Sequence, residues 1–118
     1  MYLIGRVGSG KTSLIKTLNA HIPLKSGTGI VAGYNLMKLK AKEIPYLRRK
    51  LGIVFQDFQL LTDRTVNDNL LFVLRATGWK NKNEIDARIG EVLEKVGMGL
   101  KGYKMPHELS GGEQQRIV

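Results

Sequence analysis

The stretch Gly5-Arg6-Val7-Gly8-Ser9-Gly10-Lys11-Thr12 constrains this chain more than any other. It matches G-x-x-x-x-G-K-[ST] at every fixed position. Before it stands a short apolar segment, Tyr2-Leu3-Ile4, and after it Leu14, Ile15 and Leu18 recur at helical spacing. The order strand, glycine loop, helix serves a physical end. Gly8 and Gly10 open backbone conformations that a side chain forbids. Successive N–H groups then point inward, and the helix start adds the positive end of its dipole. The product is a cradle for a polyphosphate. Lys11 is expected to reach the terminal phosphates, the Thr12 hydroxyl to ligate Mg²⁺, and Ser13 to add a phosphate contact. An incidental lysine after a glycine turn would not meet every fixed position of the motif. The motif specifies a nucleoside triphosphate without separating hydrolases from kinases or switches.

A second helix start is built in a related way. Ser110-Gly111-Gly112-Glu113 reads as a capping box, with Leu109 before it and Gln114-Gln115-Arg116 after it. Ser110 caps the helix and offers a hydroxyl, while the two glycines expose backbone N–H groups. A purely structural cap has no use for these glycines, because each costs about 1 kcal/mol of helix stability. Two phosphate-type sites in one chain can share one nucleotide only if they come together, either within a chain or between two copies of it.

Composition decides less. Lys and Arg number 19 against 10 Asp and Glu, a formal charge of +9, and the excess lies entirely in residues 1–52. Residues 38–50 carry much of it, including Lys38, Lys40, Lys42, Arg48, Arg49 and Lys50, and read as a solvated basic face. Cysteine is absent, which removes disulfides, thiol nucleophiles and cysteine metal sites. His21 and His107 stand far apart and read as surface or cap residues. The longest apolar run, from Leu70 to Leu74, falls far short of the about 20 residues that span a bilayer. A cytoplasmic chain is expected, with any membrane contact made through a partner.

Leu109-Ser110-Gly111-Gly112-Glu113-Gln114-Gln115-Arg116, downstream of the phosphate loop, resembles the signature motif of ABC-type ATP-binding domains. Between the two motifs, Ile53-Val54-Phe55-Gln56-Asp57 resembles the strand that ends in that family's Q-loop glutamine. The resemblance implies an α/β fold: a P-loop NTPase core with a parallel sheet, and a helical segment leading to the signature helix. Residues 1–64 would form the P-loop and Q-loop portion and residues 65–118 the helical portion. It implies ATP and Mg²⁺, with Gly5, Arg6, Val7, Gly8, Ser9, Gly10, Lys11, Thr12 and Ser13 around the phosphates. Thr12 and Gln56 would approach the metal, and Lys11 and Gln56 would serve catalysis. Ser110, Gly111, Gly112, Glu113 and Gln114 would face the nucleotide of a second copy in a head-to-tail homodimer. An integral membrane partner is implied, and nucleic acid is not. Asp63-Arg64-Thr65-Val66 and the residues around it are similar to the cell-division members of the family, ahead of its lipoprotein-release and macrolide-export members.

In that family the carboxylates behind Mg²⁺ follow the signature helix, and no such strand precedes Val118. The domain therefore reads as incomplete and the stretch as inactive alone. A small P-loop kinase, with Asp57 on Mg²⁺ and residues 38–50 as a lid, accounts for the charge but leaves residues 110–116 without a role. A nucleic-acid module would use the charge, but the eight aromatics form no stacking platform.

Overall fold

A computed structural model describes residues 1–118. They form two compact units, Met1–Ile53 and Val54–Val118.

In the first unit, α1 (Lys11–Leu18) follows the glycine loop directly. Its C-terminal carbonyls are met from a distant part of the sequence. Arg48 donates from Nε to the Asn19 carbonyl at 3.1 Å and from a terminal nitrogen to the Ala20 carbonyl at 3.4 Å. A guanidinium suits the negative end of a helix. Arg48 is thus a structural cap, in contrast to the free basic surface expected of residues 38–50. Strands β1 (Ile30–Val31) and β2 (Tyr34–Asn35) pair antiparallel, with Ile30 opposite Asn35 and Val31 opposite Tyr34. Ala32 (φ 49°) and Gly33 (φ 86°) turn the hairpin, and positive φ at both central residues matches the right-handed strand twist. A 3₁₀ turn (Ala41–Glu43) leads into α2 (Ile44–Arg49), with Pro45 in its first turn and Leu47 fully buried.

The strand pattern differs from the sequence expectation. Tyr2-Leu3-Ile4 and Ile53-Val54-Phe55 carry no ladder, and the antiparallel hairpin is the whole sheet. Ile4 is 91% and Val54 58% exposed. A parallel strand is held by bonds to neighbours on both sides, and two or three residues without them gain too little to order as a strand. The same cause explains α1. Leu14, Ile15 and Leu18, expected on a buried face, remain 41–47% exposed, because such a helix normally packs on a parallel sheet.

The second unit has a continuous core. Helices α3 (Val66–Ala76), α4 (Lys82–Lys95) and α5 (Gly111–Ile117) surround Val66, Ile85, Ile89, Leu93, Met98, Leu109 and Ile117. Ile85, Ile89 and Leu93 lie one turn apart on α4, as the sequence spacing predicts. Thr65 caps α3 by accepting from the Asp68 N–H at 3.2 Å, and Asn81 caps α4 by accepting from Asn83 at 2.9 Å. Loop carbonyls serve the start of α3 as well. Val66 N–H bonds the Lys104 carbonyl at 2.9 Å, and Asn67 N–H bonds that of Gly102 at 2.8 Å. The Asn67 amide packs so closely over Gly102 that a Cβ there would collide with it.

Asn69 is buried and fully bonded. Its Oδ1 accepts from Leu61 N–H at 2.8 Å, while its Nδ2 reaches the carbonyls of Leu61, Arg64 and Thr65 at 2.9–3.3 Å. These bonds fasten residues 61–65 to α3. The segment before the helix therefore belongs to the second unit, and the units part at 53–54. Asn69→Leu keeps the branching at Cγ but removes the polar atoms and strands these backbone groups. It is expected to lower the unfolding free energy by about 2–4 kcal/mol, measured by urea denaturation.

Candidate functional site

The glycine loop adopts the conformation its residues demand. Gly8 has φ 80° and Gly10 φ 88°, and no atom stands within 4 Å of a Cβ built at either. Side chains at these positions would be barred by the backbone and not by crowding. Gly10 is the N-cap of α1, and no side chain bonds the first turn. No acidic residue stands in that turn either, unlike those of α3, α4 and α5. The N–H groups at the start of α1 thus carry the helix dipole with no carboxylate to offset it. Lys11 folds back over the loop. Its Nζ donates to the Gly5 carbonyl at 2.6 Å, to the Arg6 carbonyl at 2.8 Å and to Ser9 Oγ at 3.4 Å. Ser9 N–H closes a turn on the Arg6 carbonyl at 3.1 Å. Arg6, Val7, Thr12 and Ser13 are exposed. The loop gathers Gly5 through Ser13 into one surface that presents an ammonium, backbone N–H groups and the three hydroxyls of Ser9, Thr12 and Ser13. The donor set suits a phosphate chain carrying a hard, oxygen-seeking cation.

The second helix start lies in the second unit. Ser110 and Glu113 form the expected reciprocal box: Glu113 N–H donates to Ser110 Oγ at 3.3 Å, and Ser110 N–H donates to Glu113 Oε2 at 2.9 Å. Gln114 Nε2 bonds the Leu109 carbonyl at 3.2 Å, which ties the helix to the buried Leu109. Ser110, Gly111 and Gly112 are exposed, and a Cβ on either glycine would meet nothing within 4 Å. Packing within the chain does not require these two glycines, so the surface above them is open to an external group.

Gln56 is exposed and lies in a turn closed by Phe58 N–H on the Phe55 carbonyl at 3.1 Å. Phe58 (φ 58°) and Gln59 (φ 54°) follow it in the left-handed region. Two successive non-glycine residues there store strain of about 1–3 kcal/mol each. Nothing in the sequence marks this strain, since glycine or asparagine is the usual signal. Lys101 and Asn69 also escape the motif reading. Neither carries a sign of its role: Asn69 stands beside Asn67 and Asp68 in the polar first turn of α3, and Lys101 in a loop.

The titration of Glu113 is displaced. Its carboxyl is lowered from 4.5 to about 2, first by the Lys101 ammonium bonded to it, then by the Ser110 N–H, with partial burial working against both. A folded value below the unfolded one means stabilisation that is complete above about pH 4.5 and fades as pH falls toward 2. Glu113→Gln is therefore expected to lower the urea midpoint at pH 7. Its difference from the parent should close between pH 4.5 and pH 2, followed by helix circular dichroism.

The ABC transporter family model matches residues 1–118. The chain is 44% identical over 117 residues to the cell division ATP-binding protein FtsE of Streptococcus pneumoniae, covering 99% of this chain and 50% of that protein. It is also 44% identical over 118 residues to FtsE of Mycobacterium tuberculosis, covering 51% of that protein. The methionine import ATP-binding protein MetN of Helicobacter pylori is 43% identical over 116 residues, with 35% of its length covered. The chain thus spans about half the length of the FtsE proteins and about a third of MetN. Among solved structures, the dimeric post-hydrolysis state of the ATP-binding cassette MJ0796 bound to ADP and Pi superposes with a TM-score of 0.82 at 28% identity. It covers 96% of this chain and 50% of that one. The fold is accordingly the P-loop NTPase α/β fold in part, although the only strand pair within residues 1–118 is the antiparallel hairpin. With the family model matched from its first residue to its last, the chain belongs to the ABC transporter family.

Proposed function

We propose that the protein is the ATP-binding, ATP-hydrolysing subunit of an ABC-type membrane complex, and that its role is FtsE-like, in cell division. The observation that carries the nucleotide reading is the start of α1, with no side-chain cap, two glycines at positive φ and the Lys11 ammonium beside it. Gly5 to Thr12 would hold the phosphates, with Ser13 adding a contact. Lys11 would leave its loop carbonyls for the terminal phosphates. Thr12 in the first unit and Gln56 in the second each carry a neutral oxygen of the kind Mg²⁺ takes. A bound metal would supply charge neutralisation at the phosphates. The chain's own residues do the remaining work. The loop N–H groups orient the triphosphate, and Lys11 draws charge toward its end.

Open space above Gly111 and Gly112 supports a second copy's nucleotide at Ser110–Gln114, and the dimeric cassette among the structural neighbours supports a head-to-tail pair. Two FtsE relatives at 44% identity favour cell division and, with it, an FtsX-like integral membrane partner. The protein would then sit on the inner face of the cell membrane. No helix of the chain is long and apolar enough to cross a membrane. MetN at 43% identity favours a second reading, an import ATPase. A kinase reading leaves the signature residues without a task.

Lys11→Ala is expected to weaken binding of a fluorescent ATP analogue by roughly 10- to 100-fold, the loss of one charge-assisted contact. Unchanged affinity would refute the phosphate-loop assignment. Depletion in the native cell separates the two roles. Slowed division with normal methionine uptake supports the FtsE-like role, and the reverse supports import.

A further inference from the structure

We infer that Lys101 is a positioning residue for Ser110, acting through the carboxylate of Glu113. The inference rests on the proposed reading in which Ser110 faces a nucleotide held by a second copy.

Each Glu113 oxygen has a separate task. Oε1 takes the ammonium of Lys101, while Oε2 accepts the N–H of Ser110 at 2.9 Å and its hydroxyl at 3.2 Å. Ser110 Oγ also accepts from Glu113 N–H at 3.3 Å. A hydroxyl has one proton and two lone pairs. Here the proton and one lone pair turn inward, and a lone pair faces out. That arrangement is wrong for an anion, which needs the proton. The carboxylate beside it also repels a phosphate chain. Lys101 relieves both difficulties. An ammonium on Oε1 draws negative charge away from Oε2, so Oε2 releases the Ser110 proton more readily. The same ammonium cancels the carboxylate's charge toward an incoming phosphate.

Lys101 is held well enough for this task. Its N–H bonds the Met98 carbonyl at 2.9 Å, and its carbonyl accepts from Lys104 N–H at 3.1 Å. Met98 is buried, and the carbonyls of Gly102 and Lys104 are fastened to the first turn of α3. The Lys101 side chain is 39% exposed and that of Glu113 16%, so the pair lies at the edge of the core.

The test uses the native full-length protein with ATP and Mg²⁺. Lys101→Met keeps the aliphatic stem and removes the charge. It should leave affinity for a fluorescent ATP analogue within about twofold and cut turnover and ATP-dependent dimerisation by about tenfold, with Lys101→Arg restoring both. In a Glu113→Gln background, where no carboxylate needs cancelling, Lys101→Met should change turnover by less than about twofold. Thermal unfolding of each variant separates loss of fold from loss of turnover. An equal loss from Lys101→Met in both backgrounds would overturn the inference. So would full turnover in Lys101→Met when Ser110→Ala is impaired. Full turnover in Ser110→Ala would instead overturn the nucleotide-facing reading of Ser110, and the inference with it.

Discussion

A helix start leaves backbone N–H groups without intrahelical partners, and how each start in this chain meets that constraint organises the molecule. At α3 the chain answers in full: Thr65 Oγ1 takes one N–H, and the carbonyls of Gly102 and Lys104 take two more. Asn69, one turn on, extends the arrangement to residues 61–65. The segment that follows Gln56 and the loop that carries Lys101 are thereby attached to the same helical turn. At α4 and α5 a single side chain, Asn81 or Ser110, makes the cap. At α1 no side chain answers.

The other α-helix start without a capping side chain, that of α2, follows directly on the 3₁₀ turn and carries Pro45 in its first turn, whereas α1 follows a glycine loop. A capped start has spent its donors, and an uncapped start at a flexible glycine can offer them to an anion. α1 lacks both a capping side chain and a first-turn acid, and Lys11 adds a positive charge held over the loop. α5 is an intermediate case. Ser110 is engaged with Glu113, yet it is exposed and flanked by two glycines that the packing does not need. Its acid is compensated by Lys101, so the surface around Ser110 is less hostile to a phosphate than a bare glutamate would make it.

Arg48 and Asn69 illustrate why tertiary roles stay hidden in a linear reading. Arg48 stands within a run of basic residues, and charge alone assigns it to solvent. Its bonds to the Asn19 and Ala20 carbonyls join positions 28 and 29 residues apart. Asn69 follows Asn67 and Asp68 at the start of a helix, where polar residues are ordinary, and its bonds run back to a loop of no regular pattern. Phe58 and Gln59 occupy left-handed backbone with side chains that give no hint of it.

Local chemistry was legible because it depends on neighbours in sequence. The glycine loop, the caps at Thr65 and Ser110, the turn of α4 that buries Ile85, Ile89 and Leu93, and the family order of the motifs could all be read from residue spacing. Tertiary structure decided whatever requires a partner from elsewhere in the chain. Residues 2–4 and 53–55 have strand-like composition but no ladder, because a strand exists only beside another strand. Lys101 meets Glu113 because the loop from Met98 to Lys104 is bonded to α3, a connection that spacing along the chain cannot encode.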